Sequence, residues 1–568
     1  MGWEREIRAL KRSVRRIYPV TVDQPRWQEL LGADFGRFRQ QVASLPADAP
    51  RVLVAPSVGH PTMTTLDSLL AVALTLRGAR ADVLLCDEVL PACHNCLLGK
   101  LQDEWVTNEF LRYGPKREIC RTCYSPANAM FESLGLRVRR YGDYVTAGER
   151  ETAHDLANTL SPEDICAYSD EGLPVGEHAR AGAIRFFART SLDREEHGTH
   201  VLRRYFEAAL ITRFAVDRLL SKERYVSVLF NHGIYVPQGI VGAVVRRHGS
   251  RVVNWVMAYR KNSFIFSHHD TYHHTLMTEP VSNWIDIDWD DELEKDLFAY
   301  LKSRWTGAED WISFSRAPET ELDAITRTTG IDLTKPSIGL LTNVMWDAQL
   351  HYPQNAFADM WDWLVTTVKY FSGRPELQLI IRVHPAELRG HIQSRQPIAE
   401  EIARGIGPMP PHIHVIPPDS PASTYAVMSR CDSVLIYGTK TGVELTSLGI
   451  PVIVAGEAWI RNKGITIDAQ SREHYLELLD SLPLNRRLDE ETMRRAKKYA
   501  YHFFFRRMVP LKSVSPVPGQ SWSPYAVAVK GLAELEPGVD PGLDVVCDGI
   551  LHGREFVYPA ERFTEVPC

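Results

Sequence analysis

Residues 377–387 read LQLIIRVHPAE, and residues 433–464 read SVLIYGTKTGVELTSLGIPVIVAGEAWIRNKG. Each segment opens with a short, nearly continuous apolar run rich in β-branched residues, the pattern of a strand covered on both faces. Each run then ends in a polar cluster. The first is Arg382-Val-His384-Pro385; the second is Gly438-Thr439-Lys440-Thr441-Gly442, which opens a helix carrying Glu444. In an open parallel α/β sheet, ligands bind where strands end and helices begin. Backbone N–H groups at a helix start add a preference for phosphate. Two such strand tips predict a site for an anionic group.

Further apolar runs flank these two. SIGLLTNV (337–344), HIHVIPP (412–418) and PVIVAGE (451–457) complete a C-terminal series. Toward the N-terminus, RVLVAPS (51–57) ends in a Gly59-His60-Pro61 turn, a helical stretch follows to Leu76, and ADVLLCD (81–87) is the next strand. This βαβ opening predicts a parallel sheet. LRVRRYGDY, EDICAY (163–168), YVSVLFNHG (225–233) and RVVNWVMAY (251–259) read as further strands, and residues 175–220 as helical. The fold class expected is therefore α/β, with two tandem Rossmann-like, doubly wound domains.

The expected divisions are a basic helical segment (1–48), an N-terminal domain (49–310) with a cysteine-rich insertion (91–125), a C-terminal domain (311–509) and an irregular, Pro- and Gly-rich tail (510–568). The acidic and aromatic stretch from Trp284 to Trp311 reads as interdomain.

The 568 residues are 44% hydrophobic and 24% charged, ordinary for a globular chain too long for one core. A net charge of -6 gives no general attraction to nucleic acid. No run of about 18 apolar residues predicts a membrane span. The N-terminus lacks the apolar core of a signal peptide, so a cytoplasmic location is expected. The first residues place Arg5, Arg8, Lys11, Arg12, Arg15 and Arg16 among Trp3, Ile7, Leu10, Val14 and Ile17 at helical spacing. Such a helix either docks on the body or lies peripherally on an anionic membrane face.

Cys93-x-x-Cys96 and Cys120-x-x-Cys123 are the main chemical signal outside the strands. Four thiolates at this spacing can close round a structural zinc ion or an iron–sulfur cluster, or remain unligated. A closed four-cysteine site would brace an insertion and leave no coordination position for catalysis. Four histidines (His268, His269, His273, His274) crowd residues 268–274. They read as acceptor-side lining or surface rather than as metal ligands. Asp286-Ile-Asp288 has the form of a metal-binding carboxylate pair but lies in the interdomain stretch.

The pairing of RVHP with YGTKTGVELTSLGIPVIVAG, then an aromatic residue and Lys463-Gly464, resembles the bacterial capsule polysaccharide biosynthesis family, which includes Kdo transferases of the GT-B fold. It resembles bacterial sialyltransferases more distantly. The resemblance covers residues 337–464 well and the N-terminal half only in outline. It implies a GT-B glycosyltransferase that uses a nucleotide-sugar donor, CMP-linked in the sialyltransferase case, and a glycan or lipid-linked acceptor in surface polysaccharide synthesis.

On this resemblance His384, Thr439 and Thr441 would bind donor phosphate, with Arg382, Pro385, Gly438, Lys440 and Gly442 around them, and Glu444 would contact the nucleotide. Catalysis would need no metal. The acidic motif of the sialyltransferases has its counterpart in Asp170-Glu171-Gly172, either carboxylate being a candidate base, with His60 as the rival. Two kinds of alternative stay open. One is a polyol-phosphate transferase or sugar-nucleotide epimerase on the same scaffold; the other is a non-catalytic metal-knuckle binding protein.

Overall fold

A computed structural model describes residues 23–563 apart from 101–103, 118, 307–308, 312–317, 348–349, 351 and 518–523. The basic segment expected to contact membrane, residues 1–22, lies outside the described residues. Among the described residues no helix is long and apolar enough to cross a membrane.

The C-terminal sheet holds β7 (Ser337–Leu341), β8 (Gln378–Arg382), β9 (Ile413–Ile416), β10 (Ser433–Ile436), β11 (Val452–Val454) and β12 (Ile467–Asp468). Its order is β12-β11-β10-β7-β8-β9, with every pairing parallel. Counted within the sheet this is 3-2-1-4-5-6, the dinucleotide-binding order, whose switch point lies between its first and fourth strands.

The N-terminal sheet follows the same plan with β1 (Arg51–Ser57), β2 (Arg80–Leu85), β3 (Arg137–Arg140), β4 (Ser227–Asn231) and β5 (Arg251–Met257). Its order is β3-β2-β1-β4-β5, extended by two strands: β6 (Ser263–His268), antiparallel to β5, and β13 (Val509–Pro510), antiparallel to β6. The doubly wound α/β expectation holds in both halves.

Alternation along the C-terminal strands explains how the halves join. Ile380, Val434, Ile436, Val452 and Val454 face an apolar core continuous with that of the N-terminal domain. Leu379, Ile381, Leu435 and Ile453 face a separate core on the other side. Adjacent strand residues point to opposite faces, so one sheet serves both cores. Buried polar ties reinforce the junction. Lys463 Nζ donates to the carbonyls of Met277 (3.0 Å) and Glu279 (2.7 Å), and the Glu279 carboxylate meets His502 at 3.0 Å.

Two sequence expectations are corrected here. EDICAY is not a strand; Pro162–Ala167 is a helix. Ser161 accepts from the Asp164 N–H at 3.1 Å, Pro162 takes the first helical position and Glu163 and Asp164 lie in the first turn. That is a complete helix-start signal, and it overrides a short apolar run. The tail is not irregular either. The chain crosses back through the helix Glu490–Tyr501, adds β13 to the N-terminal sheet and lays the helix Pro541–His552 on it. Arg77 and Asp544 lock that helix in place at 2.5 Å. Finally, the interdomain stretch contains a helix, Asp291–Thr306, which delivers Arg304 and Trp305 to the cleft.

Candidate functional site

The strand tips of the C-terminal sheet open on a cavity of about 370 Å³ between the two halves. Its walls include Thr342, Asn343, Val344 and Asp347 beyond β7 and Gly438–Thr441 beyond β10, the two strands flanking the switch point. His384 lies beyond β8 and Trp459 beyond β11. The facing wall carries Tyr259, Tyr272 and His273, with Trp305 and Tyr425 stacked beside it at 5.7 Å and 10°. The structure thus brings Arg382, His384, Pro385, Gly438, Thr439, Lys440 and Thr441 to one cavity.

Local geometry sets what each can do. His384 N–H donates to Thr342 Oγ1 at 3.1 Å, which ties the tips of β7 and β8 together. Its Nδ1 accepts from the Ala386 N–H at 3.1 Å, so the ring proton sits on Nε2. Burial, with Lys440 and Arg382 nearby, lowers the His384 pKa to about 4. The ring is therefore a neutral hydrogen-bond donor near pH 7. Arg382 is committed elsewhere: its guanidinium donates to the carbonyls of Pro417 and Ser420 and to Thr424 Oγ1. It braces the loop after β9 and adds positive potential to the wall.

Gly442 and Glu444 have roles other than those expected. A side chain at position 442 would meet Ile436 Cδ1 at 2.8 Å, so glycine lets the helix Thr441–Ser447 settle on β10. Glu444 was expected to reach a nucleotide. It is 1% exposed and does not line the cavity; its carboxylate sits between Arg304 Nε (3.2 Å) and Lys440 Nζ (3.0 Å). Arg304 also pairs with Asp310 and lies over Tyr300 and Phe504. The network holds Lys440 against the Tyr259 ring at 4.5 Å and so fixes the phosphate-side turn.

Acid sensitivity follows from two of these carboxylates. Burial opposes their charge, but Arg304 and Lys440 outweigh it for Glu444, and Arg507 and His502 outweigh it for Glu279, holding both pKa values down at about 2. An unfolded glutamate titrates near 4.5. Between those values the unfolded chain binds protons that the folded chain does not, so stability falls as pH drops from 4.5 toward 2. Above that window the contribution is complete. Urea midpoints between pH 6 and pH 3 should fall for the wild type, and fall less for Glu444→Gln.

The candidate bases lie elsewhere. Asp170 pairs with Arg213 at 2.6 Å, and Glu171 pairs with Arg247 at 2.6 Å. Neither lines the cavity, and both carboxylates are tied to arginines of the helices behind the N-terminal sheet. His60 is also absent from the lining; its Nδ1 accepts from the Thr62 N–H at 3.3 Å and caps the helix Pro61–Leu76. The four clustered histidines diverge. His268 contacts the Arg554 carbonyl, His274 pairs with Asp270, His269 has a positive φ of 69°, and His273 faces the cavity.

Three of the four cysteines of the expected metal centre, Cys93, Cys120 and Cys123, come together in the structure with Cys86 beside them. Cys93 and Cys96 Sγ lie 3.8 Å apart, and Cys123 Sγ accepts from the Gly59 N–H at 3.0 Å. Cys86, Cys93, Cys120 and Cys123 share a space of only about 10 Å³ with Val58, Leu90 and Ile119. Among the described residues no group of three or more His, Cys, Asp or Glu side chains is placed to hold a metal ion. Burial raises the Cys86 thiol to about 12 and raises Cys120 and Cys123 as well.

Strand-end reasoning missed Arg304 and Asp347. Arg304 acts across the domain boundary, and no local pattern marks it. Asp347 ends the SIGLLTNVMWD run, a position from which it could have been inferred; its Oδ1 accepts from Tyr235 OH at 2.6 Å across the cleft.

No protein-family model matches the chain, and no curated protein matches it. Similar solved structures include two from Thermosulfurimonas dismutans KpsC. The β-Kdo 2,4 transferase is 14% identical over 48% of this chain and 79% of that one, with a TM-score of 0.32. The β-Kdo 2,7 transferase is 13% identical over 58% and 89%, with a TM-score of 0.31. A third is the UDP-GlcNAc 2-epimerase of Neisseria meningitidis bound to UDP-GlcNAc, 9% identical over 79% and 96%, with a TM-score of 0.23. At these scores the strand order of the two sheets, rather than any superposition, defines the architecture.

Proposed function

We propose that this chain is a glycosyltransferase that takes a sugar from a nucleotide-activated donor held at the strand tips of its C-terminal sheet. The observation that carries the reading is the cavity at the β7/β10 switch point, where His384, Thr439, Lys440 and Thr441 converge. Two hydroxyls, an ammonium and a neutral imidazole N–H are donors suited to phosphate oxygens. Fixed donors of this kind stabilise charge that develops on a leaving phosphate without reorganising at that moment. Trp305 and Tyr425 offer an aromatic face for a base. The N-terminal half supplies the opposite wall, where an acceptor would approach the anomeric carbon. The donor set needs no metal for the departure of the nucleotide. A CMP-linked donor and a glycan or lipid-linked acceptor of a surface polysaccharide are the partners we favour, on the motif resemblance alone.

Calorimetric titration with CMP, UDP and CDP-glycerol tests this directly. Binding of CMP or UDP that weakens in His384→Ala is the expected result, with CMP the tighter. A preference for CDP-glycerol would turn the reading toward polyol-phosphate transfer. No affinity for any of the three would remove the donor site.

A further inference from the structure

The titratable groups that the first half of the chain presents to the cavity are few. Tyr259, Tyr272, His273, Arg304 and Asp310 line it. Arg304 and Asp310 are ion-paired to each other. Tyr259 and Tyr272 are buried phenols held above their ordinary pKa, so neither gains a proton-accepting form near neutrality. His273 remains. Its ring is wedged by aromatic contacts, 4.3 Å from Tyr272, 5.2 Å from Trp459 and 6.5 Å from Tyr352. Packing orients it, and it makes no hydrogen bond among the described residues. Burial first, then His232, keeps it neutral, so a ring nitrogen has a lone pair to offer. Trp459 belongs to the C-terminal half, and Asp347 acts electrostatically on both His273 and His384. The two imidazoles therefore face one space, one from each domain.

We propose that His273 is the proton acceptor for the attacking hydroxyl, an inference that rests on the glycosyl-transfer reading. In the step, the hydroxyl oxygen bonds to the anomeric carbon. The bond from that carbon to the donor phosphate oxygen breaks, and its electron pair stays on the phosphate. The hydroxyl proton passes to the His273 ring, and solvent removes it before the next turnover. Asp347 offsets the imidazolium charge while it lasts, and the anionic donor itself favours the protonated ring. Asp347 is thus a positioning residue, held by Tyr235.

The test uses the full chain, with His273→Gln and His273→Ala beside the wild type. Each is titrated with CMP and UDP, then assayed for nucleotide release from a panel of CMP- and UDP-sugars with water as the acceptor. Loss of a general base costs about 10²–10⁴-fold. The expected result is release lowered by at least about 10²-fold in both variants, with nucleotide affinity and melting temperature held near wild type and imidazole in the buffer restoring part of the rate to His273→Ala. Wild-type release by His273→Gln at unchanged nucleotide affinity would overturn the inference and leave the donor site standing. Failure of the wild type to bind either nucleotide would instead refute the donor site, and this inference with it.

Discussion

His384→Ala is expected to fold normally and to turn over its donor about two orders of magnitude more slowly, the usual effect of removing one preorganised donor to a developing charge. The imidazole N–H exists as a donor because backbone geometry fixes the tautomer: the Ala386 N–H occupies Nδ1 and leaves the proton on Nε2. Its lowered pKa keeps that tautomer neutral across the physiological range. Turnover should therefore show no titration of His384 between pH 6 and pH 8. The fold should survive because the bond tying β8 to Thr342 comes from the His384 backbone. Steady-state kinetics with the donor identified by binding would show a fall in kcat larger than any rise in KM. Undiminished kcat in the alanine variant, with circular dichroism unchanged, would mean that the phosphate is held elsewhere.

Glu444→Ala should be the most destabilising of the site substitutions. Glu444 is buried between two cations, Arg304 and Lys440, whose other sides line the cavity. Replacing a buried pair by apolar groups can be neutral, whereas removing one partner leaves buried charge uncompensated and costs about 3–5 kcal/mol. Here Lys440, 3.0 Å from the missing oxygen, would lose its carboxylate, and Arg304, 3.2 Å away, would be left with Asp310 alone. Urea unfolding at pH 7 measures the loss. A change below about 1 kcal/mol would show that water or a rearranged Asp310 takes over the pairing. Because the same network fixes Lys440, nucleotide affinity should fall alongside stability.

The roles expected of Glu444 and of Asp170 differ from those found for one physical reason. A carboxylate three residues into a helix, or in an acidic-Gly turn, has the same local sequence whether it faces ligand or arginine. What decides is the partner, and the partners are remote: Arg304 lies 140 residues before Glu444, and Arg213 and Arg247 belong to helices well beyond the turn that carries Asp170 and Glu171. The antiparallel extension of the N-terminal sheet was hidden in the same way, since β13 pairs with β6 across more than 240 residues. The histidine cluster shows the limit most sharply, because of four neighbours in sequence His273 lines the cavity while His268 is taken by the Arg554 carbonyl and His274 by Asp270.

The sequence by itself determined the two doubly wound sheets and the pair of strand tips that meet at the cavity. Doubly covered strands must be apolar along their length, and ligand positions in such sheets follow from where those runs stop. Tertiary structure alone decided which charges are paired out of reach, that Cys86 joins Cys93, Cys120 and Cys123, and that His273 and His384 line one cavity. Those outcomes depend on distances between segments far apart in the chain, which burial and pairing set only once both halves have closed on each other.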